Sequence, residues 1–243
     1  MNHIRALESA LTEVLPDTEL SILDAGCGHE SYLNFGARAK LTGIDISAEN
    51  LAKHKGLTSR IVGDLQTFPL PTQQFDIVVC WDVLEHLAKP KAALRNMLHA
   101  LKPGGLLVLA FPNVFSIKGL VTKFTPLSFH RFVYRRLYHI ENPEFQPYPT
   151  YLRFAMSPSA LMRFANSHGL SVEYFRMLKS EMVVRVGSEH PVIGFWLRAT
   201  RMLGQIFGLD TELSDCILVL RSPLSRESRF HDTIGHTGPL VVG

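Results

Sequence analysis

At 243 residues, with 46% hydrophobic and 19% charged side chains, the chain has the make-up of a soluble globular protein and the length to bury one substantial core. A net charge of +3 selects no partner by itself, but no apolar run approaches the roughly twenty residues of a membrane-spanning helix, and no basic-then-apolar leader opens the chain, so a cytoplasmic protein is expected. Cys27, Cys80 and Cys216 are odd in number and far apart, which argues for reduced thiols and against a disulfide frame or a metal site.

Leu7, Leu11, Val14 and Leu15 recur at helical spacing over residues 3–15, and Pro16 and Asp17 end the pattern. A strand over 21–23 enters a turn with Gly26 and Gly28, and a brief helix is expected over 31–35. Strand 41–47 contains Asp45, and helix 48–54 follows with Ser47 placed to cap it. Strand 59–63 runs into Asp64, and F-D-I-V-V-C-W, residues 75–81, has the unbroken apolar character of a strand buried on both faces. Leu94, Met97, Leu98 and Leu101 mark a helix that Pro103, Gly104 and Gly105 stop before the next central strand. Strand–helix alternation at this spacing predicts a doubly wound, mostly parallel α/β sheet with helices on both faces, whose ligands sit at the carboxyl ends of the strands.

The second half departs from this rhythm. Residues 113–150 mix prolines, aromatics and basic groups without a sheet element; a capped helix spans 157–169, with strands at 170–176 and 216–221 and an amphipathic helix over 192–209 between them. One domain over 1–221 is expected, with 20–113 as its ligand-binding half, insertions at 114–150 and 178–213, and a poorly ordered tail from 222 to 243. Nine of the 25 Lys and Arg, but none of the 22 Asp and Glu, lie between His86 and Ile140.

The glycine turn alone is weak evidence. A dinucleotide loop would carry a third glycine at position 31, where this chain has Ser31 after Glu30. The joint spacing is far more specific: a glycine turn, an acid closing the second strand at Asp45 to accept from ribose hydroxyls, and Asp64 after the third strand to accept from an exocyclic adenine amine.

With L-D-A-G-C-G, G-I-D-I-S, G-D-L, F-D-I-V-V-C-W-D-V-L-E-H-L and L-K-P-G-G-L-L-V-L-A-F-P-N in this order, the sequence resembles the class I S-adenosylmethionine-dependent methyltransferases that act on small molecules and lipids. The resemblance covers residues 20–113 and 151–177 and implies a seven-stranded Rossmann-like sheet, an inserted helical lid and S-adenosyl-L-methionine as cofactor. It implies a turn of Asp24, Gly26 and Gly28 around the methionine part, Asp45 and Ile46 beside the ribose, Asp64 and the Leu65 backbone at the adenine, and Cys80 and Trp81 beside the sulfonium. Glu30 stands where the family often has another glycine. A carboxylate there would repel a diphosphate but not a sulfonium or ammonium, so it argues against a dinucleotide.

Methyl transfer needs placement above all, and a base only where the methyl acceptor must lose a proton. His86, His130 and His139 are the candidates for that role, with Tyr151 behind them. The aromatic and basic insertion carrying Arg131, Arg135 and Arg136 suits a small or lipid-like acceptor with an anionic group, and equally peripheral contact with an anionic membrane surface. O-methylation is the expected reaction. RNA methylation ranks lower, because no acceptor motif or RNA-binding module accompanies the basic stretch, and a cofactor-binding but non-catalytic partner protein is the third reading.

Overall fold

The computed structural model describes residues 2–15, 18–136, 150–151, 153–206 and 211–224. The chain opens with α1 (Asn2–Val14), then alternates through β1 (Leu20–Ala25), β2 (Ala39–Asp45), α2 (Ala48–Lys53), β3 (Ser59–Val62), β4 (Phe75–Trp81), α3 (Pro90–Ala100) and β5 (Leu101–Pro112). Helices α4 (Ile117–Phe124) and α5 (Leu127–Arg136) follow, then α6 (Pro158–Ser167), β6 (Ser171–Lys179), α7 (Glu181–Glu189), α8 (Pro191–Ile206) and β7 (Leu213–Arg221).

The described strands form one seven-stranded sheet in the order β3-β2-β1-β4-β5-β7-β6. β1 through β5 pair in parallel, while β7 runs antiparallel to both β5 and β6. The expected doubly wound sheet is therefore present, and its strand order reverses at β1/β4, where a crevice opens at the carboxyl ends of the strands.

Side chains alternate between two cores. Ile22, Ile77 and Val79 join Leu7 and Leu11 of α1 on one face, while Leu23, Val78 and Cys80 join Leu94 and Met97 of α3 and Leu161 of α6 on the other. This double burial explains the unbroken apolar run of β4. The lower end of the sheet is tied by Asp76, which accepts from the Ser21 N–H and pairs with Lys102, each at 2.9 Å. Lys102 thus belongs to the end opposite the crevice, so the acid-free stretch from His86 to Ile140 does not form one basic face.

Several local expectations change. No helix forms over 31–35: Leu33 is buried in an extended segment, Tyr32 stacks on Trp81, and the Asn34 N–H donates to Glu8 at 2.9 Å. Helix α3 stops at Ala100, before Pro103-Gly104-Gly105, and these residues instead make an irregularity in β5, where Phe75 pairs with Leu101 but Ile77 with Leu106. The excursion before β7 holds two helices, α7 and α8, where one was expected. Ser222 is held by its N–H to the Gly105 carbonyl and its hydroxyl to the Lys102 carbonyl. Residues 225–243, most of the expected tail, lie outside the described residues. Ser47 and Ser157 cap α2 and α6, accepting from Asn50 and Ala160 N–H groups.

Candidate functional site

The crevice is built from strand ends. β1 delivers the turn from Asp24 to Ser31, in which Gly26 and Gly28 have φ of 79° and 56°. At Gly26 a Cβ would also collide with the Val83 side chain, so the turn and the segment after β4 approach more closely than any other residue would permit. β2 delivers Asp45, whose carboxylate braces the turn: Oδ2 accepts from the Gly28 N–H at 2.9 Å and Oδ1 from the Ser47 N–H at 2.8 Å. Each oxygen keeps a lone pair for a further donor. Next to it Ile46 is 76% exposed, an apolar side chain offered at the crevice beside an accepting carboxylate.

β3 delivers Asp64, which accepts from the backbone and side-chain N–H groups of Gln66 at 2.9–3.2 Å. The Leu65 carbonyl accepts from Asn96 at 3.0 Å, while among the described residues no acceptor meets the Leu65 N–H. An acceptor carboxylate, a backbone donor and an exposed aliphatic side chain are the three contacts that an adenine ring and its ribose require, so these residues fit S-adenosyl-L-methionine. Glu30 is exposed.

Asp24 is buried and is held by a chain of side chains absent from the sequence expectations. The Gly56 N–H donates to His54 Nδ1 at 3.2 Å, which fixes the ring proton on Nε2. Nε2 lies 3.1 Å from the Ser31 hydroxyl, which in turn donates to Asp24 Oδ2. Burial raises the Asp24 pKa to about 6, the Ser31 hydroxyl pulls it back, and the Asp45 charge pushes it up again. Burial also lowers the His54 pKa, keeping that ring neutral.

β4 ends in Cys80, wholly buried, and Trp81, whose ring stacks on Tyr32 at 5.3 Å between centroids and 14° between planes. Beyond it Asp82 adopts a φ of 53°, a strained position for a non-glycine residue. Solvent reaches Asp82, yet protein mass surrounds it, as on a cleft floor. Desolvation and then the Asp215 charge raise its pKa, against the pull of Lys118. Glu85, in a 3-10 turn over Leu84–His86, is buried, with Oε2 lacking a hydrogen-bond partner among the described residues. Desolvation and then Asp82 hold it well above the usual carboxylate range. The Tyr151 N–H donates to the Glu85 carbonyl, and Thr150 Oγ1 lies 3.4 Å from His86 Nδ1, so the segment at 150–151 packs against this corner.

The structure thus brings Asp24, Gly26, Gly28, Asp45, Ile46, Asp64, Leu65, Cys80 and Trp81 to one crevice, with His86 at its edge. His130 lies on α5 with its side chain undescribed, and His139 falls outside the described residues. Sequence reasoning missed Ser31, Tyr32, His54, Gln66 and Glu85 as contributors. Only Glu85 carried a signal, one residue before the chosen His86; the others depend on contacts between segments. No group of three or more potential metal ligands occurs among the described residues.

Residues 23–109 match the family model described as a methyltransferase domain. The chain is 34% identical over 114 residues to the mitochondrial ubiquinone biosynthesis O-methyltransferase of Candida albicans, covering 42% of this chain and 35% of that one. It is 32% identical over 126 residues to the tRNA (carboxymethyluridine(34)-5-O)-methyltransferase of Arabidopsis thaliana, covering 49% of this chain and 31% of that one. The chain therefore spans about a third of the length of these curated relatives. A solved SAM-dependent methyltransferase from Methanosarcina mazei superposes with a TM-score of 0.55 at 18% identity, over 88% of this chain and 97% of that one, which is a likeness of fold.

Proposed function

We propose that the protein, whose residues 23–109 match the methyltransferase-domain model, is a class I S-adenosylmethionine-dependent enzyme that methylates a hydroxyl oxygen of a small, amphipathic acceptor lying under its two insertions. The observation that carries this reading is the crevice itself, with an accepting carboxylate on each of three adjacent strand ends and a buried, unpartnered Glu85 beside Trp81. The printed activity of the Candida albicans relative, O-methylation in ubiquinone biosynthesis, supports oxygen as the acceptor atom.

When bound, the cofactor supplies an activated methyl carbon. In this assignment Asp45 accepts from the ribose hydroxyls, Asp64 and the Leu65 N–H hold the adenine against Ile46, and Asp24 faces the methionine ammonium. The Tyr32–Trp81 stack screens that end of the crevice from water. What remains for the chain is to orient the acceptor oxygen in line with the methyl and to take its proton. Glu85 Oε2 is the proton acceptor we assign, because no group among the described residues pairs with it and burial leaves its ionised form basic. His86 is the alternative. The 1–221 span is proposed as a single domain, with the insertions forming its acceptor side.

A thermal-shift titration with S-adenosylhomocysteine tests the premise: ligand at about 100 times its dissociation constant adds about 2.7 kcal/mol of stability. Asp45→Ala is expected to abolish the shift, and an equal shift in that variant would overturn the assignment. Transfer of labelled methyl into phenolic and lipid fractions rather than RNA then separates O-methylation of small acceptors from the RNA reading that the Arabidopsis thaliana relative suggests.

No described helix is long and apolar enough to cross a membrane. Peripheral contact is nevertheless part of this proposal, supported by α8, where Phe195, Trp196, Met202 and Ile206 are 64–75% exposed, and by exposed Arg131, Arg135 and Arg136 on α5. Sedimentation with anionic vesicles should bring the protein down, and neutralising the three arginines should release it.

A further inference from the structure

The two insertions enclose a cavity of about 300 Å³ between the start of α4, the end of β6, the α7–α8 pair and the start of β7. Ile117, Val184 and Leu197 give it apolar walls, and Lys118, Arg198 and Thr211 stand among them. Its volume falls at the small end of the range of ligand pockets. Two features mark it as more than a packing gap. Thr211 is 9% exposed and its hydroxyl has no hydrogen-bond partner among the described residues, a polar group buried at a cost unless something meets it. Arg198 donates Nε to the Gly194 carbonyl at 3.2 Å but has no ion-pair partner among the described residues.

The other cations lining the cavity each have an anionic partner: Lys118 pairs with Asp215 at 3.0 Å, and Lys179 with Glu212 at 2.7 Å, which Arg201 shares at 3.2 Å. Arg198, exposed at the cavity mouth, is the lining cation without one among the described residues, and its guanidinium fork suits a carboxylate. The cavity is linked to the end of β4 through the sheet: the Asp82 N–H donates to the Ala110 carbonyl of β5 at 3.0 Å, and two residues on Pro112 pairs with Asp215, the partner of the cavity's Lys118.

We propose that this cavity anchors the methyl acceptor and selects an apolar molecule bearing a single carboxylate, read by Arg198 and the Thr211 hydroxyl, with its hydrocarbon part against Leu197 and Val184. The proposal rests on the methyl-transfer reading for the word acceptor; the binding preference stands by itself. A dianionic phosphate would leave one charge unmatched, and an uncharged alcohol would leave Arg198 unanswered.

Calorimetric titration of the full chain, with S-adenosylhomocysteine present, should show decanoate binding about tenfold or more tightly than decanol or decyl phosphate, the margin expected of hydrogen bonds to a charged group. Arg198→Gln should bring decanoate down to the level of decanol and leave decanol unchanged. Thr211→Val, nearly isosteric, should weaken decanoate about threefold to tenfold. Unchanged S-adenosylhomocysteine affinity in both variants shows that they are folded. Equal binding of decanoate and decanol, no binding of either, or a preference that survives Arg198→Gln would each overturn the proposal. If the carboxylate preference holds while wild-type protein ignores S-adenosylhomocysteine, the methyl-transfer reading falls and the cavity assignment stays.

Discussion

Ser31 takes the position at which a third glycine would complete a dinucleotide loop, and its use becomes clear only with His54, twenty-three residues further on. The hydroxyl stands between a neutral imidazole that donates and a buried carboxylate that accepts. Asp24 titrates from an ordinary 3.8 up to about 6 in the folded protein. The folded state thus keeps a proton that the unfolded chain has released, so this group's contribution to stability is present below pH 3.8 and lost as pH rises to about 6. Ligand affinity should run the other way, since an ammonium favours ionised Asp24: S-adenosylhomocysteine binding should strengthen as pH rises through about 6. Removing the hydroxyl in Ser31→Ala lets desolvation and the Asp45 charge raise Asp24 further. Affinity at pH 6 should then fall by about threefold to tenfold with little change at pH 8, and Ser31→Thr should restore it. A calorimetric pH series checks this; a loss equal at every pH would point to a collapsed turn instead.

Glu85 belongs to the same scale. Its raised pKa means that the folded state again holds a proton that the unfolded chain releases above the ordinary 4.5, so stability falls as pH rises from there through neutrality. Glu85→Gln keeps the shape and removes the ionisation. It should raise thermal stability above neutral pH by an amount on the order of 1–3 kcal/mol and leave it unchanged near pH 4. Turnover of a labelled acceptor should drop by about a hundredfold or more, while S-adenosylhomocysteine affinity holds.

At the scale of elements, α7 and α8 meet through Gly187 and Gly194. A Cβ on Gly194 would run into the Gly187 carbonyl, and one on Gly187 would lie 2.9 Å from Leu197 Cδ1. The close approach depends on Gly194, whose clash would be with backbone, whereas a Cβ on Gly187 would meet only the movable end of Leu197. Gly194→Ala should force the helices apart and open the cavity they wall, costing about 1–3 kcal/mol through overpacking. Far-UV circular dichroism melts would measure that loss, and decanoate affinity should fall with it. By contrast Ser157→Ala, which deletes only the cap of α6, should cost about 1 kcal/mol and leave ligand binding untouched.

Over the whole molecule, burial is concentrated in the middle of the sheet. β4 is buried from Ile77 to Cys80 and β7 from Cys216 to Leu220, whereas the edge strand β6 is largely exposed. Hydrogen–deuterium exchange should be slowest in β4 and β7 and much faster in β6, α5 and α8, because local opening is easiest where few apolar groups are buried. Saturating S-adenosylhomocysteine should slow exchange at residues 24–31 and 45–48 in particular, and an unchanged pattern there would count against the crevice.

Much of this was legible in the chain because it is local. The apolar period of β4, the caps at Ser47 and Ser157 and the acids Asp24, Asp45 and Asp64 at or just after strand ends are matters of spacing, and spacing fixes the strand-end location of polar groups, while the resemblance carried by the motifs together implies the cofactor. What spacing cannot carry is which distant segments meet. That His54 reaches Ser31, that Tyr32 abandons a helix to stack on Trp81, that Lys102 leaves the basic stretch for Asp76, and that Thr211 and Arg198 share a cavity with Lys118 all depend on how elements pack. The sequence by itself determined the sheet, the glycine turn and the acids at the strand ends. Only the tertiary structure decided which buried carboxylate, Glu85, lacks a partner among the described residues and which cation, Arg198, lacks one in the cavity, because charge compensation is a property of neighbours in space.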